Sequence, residues 1–253
     1  MAGHSKWANI KHRKGAQDKK RAKIFTRILK EISVAVKEGG GADPETNPRL
    51  RLAIQNAKGA NMPKDTIERA IKKASGADAD NYEEVTYEGY APNGVAVFIE
   101  CTTDNTNRTV ASVRSIFTKS GGSLGTNGSL EFIFDRKGIF HIEEDQIKMD
   151  WEEFELEAID GGAEEVEKQD GLVHITTSFD DFGTFQKKLD ELGIEAKSAE
   201  LERIPNSYAD LSTEQALSVL KIIEKFEDDE DVQNVFHNIE MTDELMQALE
   251  ADE

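Results

Sequence analysis

A single cysteine, Cys101, in 253 residues leaves no partner for an intramolecular disulfide and suits a reducing compartment. No run of about eighteen apolar residues occurs, so no membrane-spanning helix is expected. The basic N-terminus has no apolar stretch behind it, which argues against a secretory signal. Its cations are mostly lysine and run straight into a patterned helix, so the segment is read as mature protein, and the expected compartment is cytoplasmic. Catalytic signatures are missing as well. There is no G-x-x-x-x-G-K-[ST] phosphate loop and no G-x-S-x-G elbow. His4, His12, His141, His174 and His237 are scattered, with no second His or Cys at ligand spacing, so neither a metal nor a cofactor is expected. The run Glu227-Asp228-Asp229-Glu230-Asp231 invites the idea of a metal-dependent hydrolase, but without ligand spacing it reads as solvated loop. Cys101, on an apolar strand, reads as a small core residue. No catalytic residue and no small-molecule substrate are evident, and the chain is read as a non-enzyme.

Charge is plentiful, and it is segregated. The formal net charge is −19. Residues 1–75 nevertheless hold 18 Lys/Arg against 7 Asp/Glu, whereas residues 76–253 hold 13 against 43. Solubility alone requires no such separation. It points to one part that faces nucleic acid and another that phosphate repels. The basic extreme is residues 1–23, with eight Lys/Arg against one acid and Trp7 among them.

Periodicity divides the chain into an α+β protein of three domains. Residues 17–38 form an amphipathic helix with Ile24, Phe25, Ile28, Leu29, Ile32 and Val36 on one stripe and Lys20, Lys23, Arg27 and Lys30 opposite, stopping at Gly39. Helices from Arg49 to about Lys58 and from Pro63 to about Ser75 complete an N-terminal three-helix bundle, residues 1–76. Strands follow at 83–90 and 94–102 across Pro92-Asn93-Gly94, then a helix at 107–120 capped by Asn107, then a strand at 129–135. Residues 136–204 read β, α, a hairpin across Gln169-Asp170-Gly171, α and β: a ferredoxin-like βαββαβ domain. After Pro205 only a helix near 212–226 and a strand at 231–238 remain, too little to fold alone. Residues 205–245 are therefore expected to complete a discontinuous α+β middle domain with 80–135, into which the ferredoxin-like domain is inserted.

The candidate site is basic. Lys6, Lys11, Arg13, Lys14, Lys19, Lys20, Arg21, Lys23 and Arg27, with Arg49, Arg51, Lys58 and Lys64 from the later helices, can supply sequence-independent phosphate contacts. Trp7 offers an indole face to a base or ribose, or packs as a lid on the bundle. His4, Ser5, Asn9 and His12 can hydrogen-bond phosphate or sugar. A second candidate is the polar loop Thr102–Arg108, with Asp104, Asn105, Asn107 and Arg108, where turn and capping chemistry competes with a ligand role.

The motifs AGHSKWANIKHRKGAQDKKRAKIF, NPRLRLAIQNAKGANMPKDTIERAI, YEGYAPNG, TDNTNRT and GGSLGTNGS, in that order, closely resemble the YebC/PmpR family across nearly the whole chain. The resemblance implies the same three-domain fold and no enzyme activity. It also implies a cytoplasmic DNA-binding transcriptional regulator whose N-terminal basic motif faces nucleic acid. Mitochondrial relatives are translational activators, and bacterial ones are linked to ribosomes stalled on proline-rich stretches. A ribosome-bound, ribosomal-RNA-binding translation factor is thus the alternative. Nothing in the sequence reads as a recognition helix, which favours RNA shape and phosphate contacts; the family label favours DNA.

Overall fold

Residues 17–77, 79–169 and 171–251 are described by a computed structural model. The apolar stripe of the first segment folds as expected into α1 (Gln17–Glu38), whose Ile28, Ile32, Ala35 and Val36 meet Leu50, Ala53 and Ala57 of α2 (Pro48–Gly59) and Ile67 of α3 (Lys64–Ala74). Two details depart from the helical wheel. Ile24 stays exposed at 39%, because the bundle core begins one turn later. Lys30, expected on the open face, is buried, as are Ser33 and Val34, so the second half of α1 is enclosed on more than its apolar stripe.

The α1–α2 corner is closed by Asn47. Its side-chain oxygen caps α2 by accepting from Leu50 N at 3.0 Å, while its Nδ2 donates to Ala35 O and Gly41 O, both at 2.7 Å. Fully buried, this one amide satisfies helix-end groups that would otherwise be stranded. Pro63 stands just before α3 rather than as its first residue.

The described residues form two compact units. One holds residues 81–135 and 203–251, with β1 (Glu83–Tyr90), β2 (Ala96–Thr103), α4 (Thr106–Lys119), β3 (Ser123–Leu124), α7 (Thr213–Glu227), β8 (Val232–His237) and α8 (Asp243–Ala251). Its sheet order is β3-β1-β2-β8. The β1–β2 hairpin turns through Asn93 and Gly94, both at positive φ (63° and 75°), the geometry that matches strand twist and suits Asn-Gly. One face of β2 places Val97, Ile99 and Cys101 against Val113 and Phe117 of α4 and Val219, Ile223 and Phe226 of α7. Phe117 and Phe226 meet with centroids 4.6 Å apart. Cys101 is thus a core residue, as expected. The other face collects Ala96, Phe98, Leu130, Ile133 and Phe134.

Three expectations are corrected in this unit. The strand expected at 129–135 begins only at Phe134; Glu131–Ile133 is a 3-10 turn. The cause is Glu88, a buried carboxylate that accepts from Gly128 N and Leu130 N, each at 2.6 Å, and bends the chain. The turn sends Leu130 and Ile133 into the core together and leaves Phe132 72% exposed. The α4 N-cap is Asn105, accepting from Arg108 N at 3.1 Å, not Asn107. A further helix, α8, follows β8; its Leu245 and Met246 bury into the same core, and Thr242 Oγ1 accepts from Leu245 N. At 9 residues it is too short for its periodicity to stand out in the sequence.

The other unit joins residues 17–80 to 136–202. Within it β4 (Phe134–Glu143), α5 (Trp151–Asp160), β5 (Ala163–Gln169), β6 (Leu172–Ser178), α6 (Phe182–Leu192) and β7 (Ser198–Pro205) give the sheet order β5-β6-β4-β7, that of a ferredoxin-like βαββαβ. Asp170 of the hairpin lies outside the described residues. Phe140, Ile142, Val173 and Ile175 of the sheet pack on Phe154 of α5 and Phe185 and Leu189 of α6. His141 and His174, on the opposite face, form a cross-strand ring pair with centroids 4.7 Å apart, as befits sheet residues. The edge strand β7 is met by α2 of the bundle. Asn56 Nδ2 donates to Ala199 O and Ala199 N donates to Asn56 Oδ1, both at 3.0 Å, while Gln55 Nε2 donates to Ala196 O at 2.9 Å. A side-chain amide thereby takes the place of a neighbouring strand on an edge that would otherwise be open. Gly59 makes the approach possible: a Cβ there would stand 1.7 Å from Lys197 O. Among the described residues, no helix is long and apolar enough to cross a membrane.

Asn56→Ala removes both bonds and leaves a buried N–H and C=O unpaired. It should cost about 2–4 kcal/mol in denaturant unfolding, with hydrogen-exchange protection lost first at Ala199 and along α2. Asn56→Asp keeps the acceptor but sets a buried carboxylate oxygen against Ala199 O, and should cost at least as much at neutral pH.

Candidate nucleic-acid interface

Of the candidate contacts, His4, Ser5, Lys6, Trp7, Asn9, Lys11, His12, Arg13 and Lys14 lie outside the described residues. Lys19 and Lys20 belong to the first turn of α1. Arg21 is exposed; its guanidinium donates to Asn61 O at 3.3 Å and lies 5.3 Å from the Phe25 ring centroid. Lys23 and Arg27 are half-buried on the same helix. From α2, Arg49 pairs with Glu38 at 3.2 Å, Arg51 is exposed, and Lys58 pairs with Glu195 at 3.0 Å beside the β7 edge. On α3, Lys64 reaches Glu68 at 3.6 Å.

The exposed face of α3 also carries Arg69, Lys72 and Lys73, surface cations that the helical pattern predicts. Their helical spacing opposite Ile67, Ile71 and Ala74 is that pattern. Arg69 donates to Asp65 O at 3.1 Å, and Lys73 pairs with Asp80 at 2.6 Å. Ion pairs this exposed contribute little, about 0–1 kcal/mol, so these side chains can exchange their partners for phosphate at small cost.

The polar loop after β2 is built differently. Thr103 Oγ1 accepts from Asn105 N at 2.9 Å and lies within hydrogen-bond distance, 2.8 Å, of Thr109 Oγ1. Arg108 forks onto Asp231, with Nε to Oδ2 at 3.0 Å and NH2 to Oδ1 at 2.8 Å, and also donates to Asp104 at 2.8 Å. Asp231 in turn accepts from Thr109 Oγ1 at 2.9 Å, and its backbone O accepts from Thr102 N at 2.8 Å. These bonds, Asp231 first and Asp104 second, hold the Arg108 proton above the usual guanidinium value. Burial, with Cys101 and Asp231 nearby, likewise raises the Tyr87 phenol, whose hydroxyl lies 3.5 Å from Thr106 O. Asp104 and Asn107 are exposed.

The acidic run is therefore more than solvated loop. Asp231 is only 5% exposed and receives the guanidinium, and Asp229 accepts from Ser112 Oγ and from Asp231 N. Among the described residues, no group of three or more His, Cys, Asp or Glu could hold a metal ion. What this loop does is join the end of β2 and the start of α4 to the entry of β8.

Comparison with known proteins decides the family. A model described as TACO1/YebC protein N-terminal domain matches residues 5–77, and one described as TACO1/YebC second and third domain matches residues 82–239. The chain belongs to the TACO1/YebC family. A relative from Amoebophilus asiaticus, named a probable transcriptional regulatory protein, is 56% identical over 94% of this chain and 98% of its own. One of the same name from Syntrophotalea carbinolica is 54% identical over 97% of this chain and 98% of its own. The crystal structure of a conserved hypothetical protein from Aquifex aeolicus superposes with a TM-score of 0.77 at 41% identity, covering 90% of this chain and 93% of that one. This TACO1/YebC chain thus has the family's mixed helix-and-sheet fold and sits among proteins named as transcriptional regulators.

Asp231→Ala should destabilise the β2–α4–β8 unit by about 1–3 kcal/mol, since it removes the acceptor of the buried Thr109 hydroxyl, while the exposed Arg108 guanidinium can turn to water. Amide protection should fall at Thr102 and Val232. Unchanged unfolding would show that the clamp is dispensable.

Proposed function

We propose that this TACO1/YebC chain is a non-enzymatic regulator of gene expression that binds nucleic acid through its basic N-terminal segment and the exposed cations of the bundle. The observation that carries this is charge segregation: residues 1–75 hold 18 of the 31 Lys/Arg but only 7 of the 50 acids. Phosphate is drawn to one end of the chain and repelled by the remainder, which orients the protein without any base-specific contact. The relatives' name supports transcription, and hence DNA, as the leading target.

Structured RNA, ribosomal RNA in particular, is the second reading, and one observation favours it. The exposed face of α3 presents Lys64, Asp65, Glu68, Arg69, Lys72 and Lys73, and α2 spends Gln55 and Asn56 on β7. No Asn or Gln on either helix stands ready to read base edges, whereas phosphate and shape contacts are well supplied.

Both targets are tested together by titrating the full chain with duplex DNA and with a folded ribosomal RNA fragment across a salt series. If about six cations contact phosphate, log affinity should fall against log salt with a slope of about −4 to −5. Lys6→Gln, Lys11→Gln, Arg13→Gln and Lys14→Gln combined should flatten it. Trp7→Ala should weaken binding by about 1–3 kcal/mol with unfolding unchanged, and Trp7→Phe should restore much of the loss. A slope near zero for both nucleic acids would overturn the proposal.

A further inference from the structure

We propose that the outward face of α5 docks a basic amphipathic helix of a partner protein. The helix buries Phe154 and Ala158 against the sheet, and Asp150 caps it by accepting from Glu152 N at 3.0 Å. On its flank Glu157 and Asp160 receive Lys188 of α6 at 2.7 and 3.1 Å. Opposite the buried stripe, Leu156 and Ile159 are 69% and 62% exposed.

They stand three residues apart and so share one face; Glu152 lies between them a turn earlier, with Glu155 on one side and Glu153 and Asp160 on the other. Solubility would be served by polar residues at both apolar positions. Among the described residues Glu152, Glu153 and Glu155 make no ion pair, so the face carries unneutralised acid around an apolar centre. A surface of that sign repels nucleic acid, which leaves a protein as the occupant. Two apolar anchors at helical spacing, ringed by carboxylates, are complementary to a helix bearing Leu, Ile or Val at i and i+3 or i+4 between Lys and Arg. The proposal stands apart from the nucleic-acid reading, since it concerns other residues and another charge.

The probe is a fluorescent peptide of about eighteen residues, made only of Leu and Lys with the leucines on one helical stripe. Its control has the same composition in an order that destroys the stripe. With the full-length chain at fixed ionic strength, the striped peptide should bind at least about tenfold more tightly than the shuffled one. Leu156→Ser with Ile159→Ser should abolish that preference without lowering the unfolding midpoint, since both side chains are exposed. Glu152→Gln, Glu153→Gln and Glu155→Gln combined should weaken binding of the striped peptide and reduce its salt dependence. Equal binding of the two peptides, or a preference that survives the serine pair, would overturn the proposal. So would self-association of the free chain in sedimentation that the serine pair abolishes, because the occupant would then be a second copy.

Discussion

Strand β2 must be paired on both sides, and the rest of the unit built around it follows from that requirement. Every residue from Ala96 to Thr103 except Glu100 is buried, so neither edge of this strand can be left to water. The hairpin partner β1 covers one side through a local turn. The other side is covered by β8, which lies more than a hundred residues further along the chain, with Val97 opposite His237 and Ile99 opposite Val235. The whole βαββαβ segment intervenes between the two halves. The Arg108–Asp231 fork lies at the entry of β8, and Arg203, where the chain returns from that excursion, donates to Glu100 at 3.1 Å and lies 3.8 Å over the Phe98 ring. Closing so long a loop costs entropy, and a charge-assisted fork from Arg108 onto the buried Asp231 carboxylate is a specific way of holding β8 beside β2.

The second unit solves the complementary problem. Its β7 is an edge strand, and α2 covers it with the side chains of Gln55 and Asn56 rather than with another strand. The same helix that contributes Leu50, Ala53 and Ala57 to the bundle core therefore also seals a sheet, and Gly59 has no side chain because the backbone of Lys197 occupies that space. A consequence for function is that only part of the bundle surface is open. The cations of α3 and Arg51 are exposed, while Lys58 stands at the seam beside Glu195.

Membership of the TACO1/YebC family connects this architecture to regulators of gene expression. Charge is divided along the chain: cations are gathered into residues 1–75, and the long remainder is acidic. Within that remainder α5 combines acid with exposed Leu156 and Ile159, a surface chemistry different from that of the bundle.

The sequence by itself determined the elements whose cause is local. The stripe of α1, the Asn93-Gly94 turn, the ferredoxin-like order of strands and helices and the excess of cations at one end all follow from neighbours within a few residues, where periodicity, turn chemistry and charge act directly. It also required that the C-terminal helix and strand find a partner earlier in the chain, because they bury too little alone. What only the tertiary structure decided lies in contacts between distant residues. Glu88 converts an apparent strand into a turn, Asp231 leaves an acidic run to receive Arg108, Lys30 is enclosed, and Asn56 caps an edge 143 residues away. Glu88 and Asn56 take their roles from buried backbone groups, and Asp231 from Arg108 and Thr109, none of which a local pattern announces.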